Sequence, residues 1–130
     1  MTEVKGVITE KHYATYLSAG NNLLTADERA ENGGTAAGFT PTELLCSSLA
    51  ACTCITLRMY ADRKTFPLEK VETHVSLTRD AAANITNIER NISLVGELTD
   101  EQKNRLIEIA NNCPIHKILS NQISIKTSLA

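Results

Sequence analysis

The sequence contains no tryptophan, and its three tyrosines and two phenylalanines make up only 4% of 130 residues. So few aromatic rings exclude a stacking platform for single-stranded nucleic acid. An excess of basic charge is also missing. Thirteen Lys and Arg stand against fifteen Asp and Glu, a formal net charge of −2. A protein that grips nucleic acid through a strong positive field is therefore excluded. No uninterrupted run of about 18 apolar residues is present, so no membrane span is expected. The opening "MTEVKGVITE" has no basic start followed by an apolar segment. No signal peptide is read there, and a cytoplasmic location is expected. The sequence also lacks a Walker A loop, a G-x-G-x-x-G turn and a G-x-S-x-G elbow, and with them the usual phosphate cradle and serine nucleophile.

What is present is ordinary for a globular protein: 42% hydrophobic and 22% charged residues. A single domain spanning residues 1–130 is expected, large enough to bury a core. The unusual feature is four cysteines, Cys46, Cys52, Cys54 and Cys113. In the cytosol they are expected to be reduced at rest, which argues against a structural disulfide and leaves catalytic, redox or metal roles open.

Periodicity and end signals give an α+β order. "VKGVITEKHYATYLSAG" alternates and reads as a β-hairpin turning near Glu10 and Lys11, with "NNLLTAD" as a further short strand. A glycine-rich loop, "DERAENGGTAAG", follows over residues 27–38. Thr40, Pro41 and Glu43 then supply a capping box and a first-turn proline for a long helix reaching Lys64. Residues 44–57 carry no charge. That predicts a helix buried on nearly all sides, emerging from Arg58 onward. "LEKVETHVSLTRD" and "NITNIERNISLVGEL" read as paired antiparallel strands. Thr99 and Gln102 form a second capping box before an amphipathic helix carrying Leu106, Ile109 and Ala110. "CPIHKILSN" restarts a short helix, and "QISIKTS" reads as a last strand.

Helix geometry separates the clustered thiols. Cys46 and Cys52 differ by about 9 Å of rise and about 120° of rotation, and Cys52 and Cys54 by about 160° after reduction to the nearer sense. No disulfide or shared metal joins them on an intact helix. A partner for any of them comes from elsewhere, and Cys113 is the one other thiol of the chain. Its place at a helix start, before Pro114, favours the thiolate, with His116 three residues on. Cys52 shares a stripe with Leu45, Leu49 and Thr56. Cys54 shares one with Ser47, Ala51 and Arg58, whose charge at i+4 would lower its pKa. Geometry does not choose between Cys52 and Cys54, and for each helix cysteine the reading as a small packing residue starts ahead. A metal site built from Cys113, His116, one helix cysteine and His12 or His74 is a third possibility, without the paired spacing of a zinc ribbon.

Two motifs in order, "GFTPTELLCSSLAACTCITLRMYADRK" and "GELTDEQKNRLIEIANNCPIHKIL", resemble the OsmC/Ohr family of thiol-dependent hydroperoxide reductases, and specifically its OsmC-like branch. The resemblance implies an intertwined homodimer with antiparallel sheets around long buried central helices, and active sites at the dimer interface. It implies that Cys52, in "LAAC", is peroxidatic and that Cys113, before Pro114, is resolving. The substrate would be a hydroperoxide, preferably organic, and an external dithiol would recycle the enzyme. No metal or organic cofactor is implied. The family also supplies an arginine from its N-terminal β region, held by a glutamate beside the central helix. In this sequence the first arginine is Arg29, in the glycine-rich loop, and Glu43 lies near the glutamate's position, with Thr42 in register. Cys46 and Cys54 then remain packing residues. The alternative is a non-catalytic OsmC-like module that binds a small apolar or thiol-containing ligand at the dimer interface.

Overall fold

The computed structural model describes all 130 residues. The chain forms two compact units, residues 1–45 and 46–130, and the boundary falls inside the long helix.

In the first unit, strands β1 (Lys5–Val7), β2 (Thr15–Ala19) and β3 (Asn22–Ala26) form an antiparallel sheet in the order β1-β2-β3. The hairpin between β2 and β3 closes through Gly20 and Asn21, because Ala19 pairs with Asn22. Gly20 sits at φ 58°, where a side chain would be strained and glycine is not. Gly6 lies opposite Leu17 in the first hairpin, and Leu17 lies opposite Leu24 in the second. The glycine-rich loop is organised by a short 3-10 turn over Ala30–Asn32. The loop returns to the sheet through a parallel bridge between Ala26 and Phe39, with Asp27 N donating to Phe39 O at 3.0 Å. Gly38 permits this approach, since a Cβ there would overlap the carbonyl of Thr25.

Helix α1 (Pro41–Lys64) begins as its sequence predicts. Thr40 N donates to Glu43 Oε1 at 2.8 Å, and Glu43 N donates to Thr40 Oγ1 at 3.2 Å, a reciprocal capping box. Its burial differs from the expectation. Only one stripe is buried, through Leu49, Thr53, Leu57, Tyr60 and Ala61, while Ile55 and Met59 are 55% and 64% exposed. One chain covers one side of a helix, so uniform apolarity does not give uniform burial. The buried stripe also continues beyond Arg58, because Tyr60 and Ala61 fall on the same face. By length and composition alone, α1 is apolar enough to cross a membrane. Counting uninterrupted apolar residues missed this, because the intervening Ser and Thr lower the mean hydropathy little. The core helix of a folded domain meets the same measure.

The second unit pairs β4 (Lys70–Asp80) with β5 (Ile85–Val95) in one long antiparallel hairpin. Alternation turns Val71, Thr73, Val75 and Leu77 of β4, and Ile88, Arg90, Ile92 and Leu94 of β5, to the half-buried face. Helix α2 (Asp100–Ala110) opens on the Thr99–Gln102 capping box and buries Leu106 and Ala110. Helix α3 (Pro114–Leu119) follows. The core of this unit joins Leu57, Tyr60 and Ala61 of α1 with Leu68, Leu106 and Ala110. Tyr60 packs edge-on against Phe66, and its hydroxyl accepts from Arg105 Nε at 3.0 Å. The expected final strand "QISIKTS" is not formed, and residues 122–128 pair with no strand. Ile123 and Ile125 are exposed there. Their alternation suits a strand, but a strand also needs an edge to pair with.

Candidate thiol site

All four cysteines are free thiols. Cys52 is half-buried on α1, its Sγ 3.9 Å from Thr56 Oγ1 one turn along. Cys54 points to the hairpin instead, with Sγ 3.3 Å from Thr73 Oγ1 and 3.9 Å from Val71 O. The side chain of Arg58, the cation expected beside Cys54, is engaged elsewhere. Its Nε and Nη2 donate to Asp62 Oδ1, and Nη1 donates to Leu68 O at 2.6 Å. Cys54 is therefore held against a strand by a hydroxyl and a carbonyl, while Cys52 has a single weak contact within its own helix. Cys46 is half-buried.

Cys113 is fully buried, at 0% exposure. It is the N-cap of α3, with φ −65° and ψ 141°, and its Sγ accepts from His116 N at 3.3 Å. Pro114 in the first turn lacks an N–H and so removes one donor that would need a partner. The helix-start position is as the sequence indicates. The burial is not legible in the sequence, because it depends on packing by groups distant along the chain.

Arg90 is the residue that sequence reasoning passed over. It occupies the inward row of β5, between Ile88 and Ile92 and opposite Val75. Its Nη1 donates to Thr53 Oγ1 at 3.2 Å, and its Nη2 donates to Asn111 Oδ1 at 3.0 Å and meets His116 Nδ1 at 3.1 Å. Thr53 is the residue after Cys52, and Asn111 and His116 flank Cys113. One guanidinium thus ties the α1 turn carrying Cys52 to the α3 turn carrying Cys113. The signal was a charge at an apolar position of an alternating strand, "NIERNIS". What that charge faces is set only by tertiary packing. Thr53 is fully buried, and its hydroxyl also donates to Leu49 O at 2.7 Å, so both its roles are filled.

Arg29 and Glu43, the other two candidates, form an ion pair at 3.5 Å within the first unit, both about half exposed. Glu43 titrates below the usual carboxylate range, first because Thr40 N and then Thr40 Oγ1 hydrogen-bond it, and also because of the Arg29 charge. The nearby loop is organised by Asp27, which is 3% exposed. Its carboxylate accepts from Thr35 Oγ1 at 2.7 Å and from the backbone N–H groups of Glu28, Ala37, Tyr13 and Thr35 at 2.7 to 3.3 Å. The carboxyl is thereby held far below its ordinary range, chiefly by the Thr35 hydroxyl. His12 stacks on Tyr13 with ring centroids 4.8 Å apart, and His74 stands on the exposed face of β4. No three His, Cys, Asp or Glu side chains converge in ligating geometry.

Comparison with known proteins bears on the family and the fold. The profile of the family described as "OsmC-like protein" matches residues 33–128. No curated protein matches the chain. Among solved structures, an OsmC-like protein from Mycoplasma pneumoniae superposes with a TM-score of 0.80 at 22% identity, covering 92% of this chain and 86% of that one. The organic hydroperoxide resistance protein OsmC from Legionella pneumophila gives 0.68 at 21% identity, covering 92% and 89%. The organic hydroperoxide resistance protein OhrB of Bacillus subtilis gives 0.63 at 21% identity, covering 97% and 95%. At these identities the likeness is one of fold: α+β, with small antiparallel sheets and one long helix.

Proposed function

We propose that this chain, which belongs to the OsmC-like family, is a cysteine-based hydroperoxide reductase working as a homodimer, with residues 1–130 acting as one domain. The observation that carries this reading is the Arg90 bridge, which links the residue after Cys52 to the helix turn that begins at Cys113. Two relatives of the same fold are named organic hydroperoxide resistance proteins, which supports a hydroperoxide as substrate. The burial difference supports the division of roles. A half-buried Cys52 is open to an incoming peroxide, whereas a fully buried Cys113 is suited to react with a neighbouring sulfur.

The chemistry balances with two thiols and no cofactor. The Cys52 thiolate attacks one peroxide oxygen, the O–O bond breaks, and the released alkoxide takes a proton to leave as an alcohol. Cys52 is now a sulfenic acid. The Cys113 sulfur attacks it, forming a disulfide and releasing water. An external dithiol then reduces the disulfide by exchange and is itself oxidised. Thiolate formation in an apolar helix calls for a cation. Arg29, held by Glu43, is proposed for that task. The exposed face of α1 at Ile55 and Met59, together with the unpaired residues 122–128, is proposed to pack against a second copy.

The test is to treat reduced protein with cumene hydroperoxide and map its disulfides by mass spectrometry. Peroxide consumption with a Cys52–Cys113 bridge is the expected result. Intact peroxide and four free thiols would sink the reading.

A further inference from the structure

A second feature of the 46–130 unit adjoins the two thiol-bearing turns. A pocket of about 360 Å³ opens beside the inward face of β5, lined by Leu49 of α1, Ile88 and Arg90 of β5, and His116 and Leu119 of α3. Its size falls within the range of small-molecule sites, about 300–1,000 Å³. Leu49, Ile88 and Leu119 give it an aliphatic wall, Thr86 and Ser120 also line it, and Arg90 supplies a cation.

That charge is not balanced. Arg90 enters none of the ion pairs of the structure, and no Asp or Glu lines the pocket. Its three polar partners are a hydroxyl oxygen, an amide oxygen and an imidazole nitrogen, all uncharged as acceptors. A guanidinium carries five N–H donors. Three are used on Thr53, Asn111 and His116, which leaves Nε–H and one Nη1–H. A half-buried cation on the apolar row of a sheet, without a counter-ion and with donors to spare, is complementary to an anion arriving from the pocket. The aliphatic wall adds a second requirement. Leu49, Ile88 and Leu119 offer nothing to the hydration shell of an inorganic ion but would bury a hydrocarbon tail. One cation without a counter-ion matches the single charge of a carboxylate better than a phosphate dianion, which asks for more positive charge.

We propose that this pocket binds a small monocarboxylate with a short aliphatic tail, its carboxylate held by Arg90 and its tail against Leu49, Ile88 and Leu119. The site does not depend on whether the thiols reduce peroxides.

The experiment uses the full chain with labelled Leu and Ile methyl groups, titrated separately with hexanoate and hexan-1-ol and followed by NMR. Hexanoate should produce saturable shifts at the Leu49, Ile88 and Leu119 methyls, and hexan-1-ol should bind about tenfold more weakly or worse, since it lacks the charge. Arg90→Gln should lose a similar factor for hexanoate and little for hexan-1-ol, while Arg90→Lys should retain part of the preference. Equal affinity for the acid and the alcohol in the wild-type protein would overturn the proposal. So would the absence of shifts at those three residues up to about 10 mM hexanoate, a concentration at which even a weak specific site fills appreciably. Both of these results are measured on the wild-type chain and hold even if Arg90→Gln does not fold.

Discussion

Arg90 and His116 meet at 3.1 Å between Nη2 and Nδ1. Arginine has donors only, so Nδ1 of His116 accepts and the neutral ring carries its proton on Nε2. This fixes the ring that follows Cys113 by three residues. A long-range nitrogen–proton NMR spectrum at neutral pH should show His116 as the Nε2–H tautomer. In Arg90→Gln that preference should weaken, and a predominant Nδ1–H form in the wild-type protein would contradict the bond. The fold should tolerate the change. Thr53 Oγ1 keeps its bond to Leu49 O, so the loss expected in urea unfolding is about 1 kcal/mol.

The two thiols should separate kinetically. Cys52→Ser is expected to lower peroxide consumption at least about a hundredfold, because a hydroxyl does not replace a thiolate nucleophile. Cys113→Ser should still perform one turnover and leave a sulfenic acid on Cys52, detectable by dimedone labelling. Serine is a favoured N-cap and can accept from His116 N in place of sulfur. The Cys113→Ser variant should therefore remain folded. Equal labelling of both variants would argue against the assigned roles.

Association of two copies should depend on the exposed face of α1. Ile55→Asp introduces a charge at a position that is 55% exposed in the single chain, so it should cost the monomer little. Across a dimer interface the same carboxylate would be buried without a partner, typically at a cost of several kcal/mol. Sedimentation of the wild-type protein should report a dimer, and the variant a monomer at the same concentration. A wild-type monomer would refute the proposal directly.

The first unit should lose stability in acid through Asp27. Its carboxyl lies far below the ordinary value when folded, so the unfolded chain binds the proton more readily. The stabilisation is complete above the ordinary value of about pH 4 and is lost progressively as pH falls below it. Amide signals of Thr35 and Ala37, both donors to this carboxylate, should report the loss first. Asp27→Asn should remove most of that acid dependence and lower the melting temperature at pH 7. An unchanged acid profile in the variant would show that another group is responsible.

Much of the fold was legible because its signals are local. Each capping box is written within four residues, Thr40 to Glu43 and Thr99 to Gln102, and both form as read. The β4–β5 alternation and the proline after Cys113 are equally local. The missing last strand is the instructive failure. Ile123 and Ile125 have the right period, but a strand is completed by an edge that its own sequence does not contain.

The sequence by itself determined where helices start, which strands alternate, and that the chain resembles a thiol-dependent family. Helical rotation alone also separated Cys52 from Cys54. Tertiary structure decided the rest. It turned Cys54 onto Thr73, enclosed Cys113 completely, paired Arg29 with Glu43, and set Arg90 between the two thiol-bearing turns. Local propensity depends on neighbours within a few residues of the chain. Burial and charge complementarity depend on groups that are 26 and 37 positions apart, as His116 and Thr53 are from Arg90, and only packing brings these together.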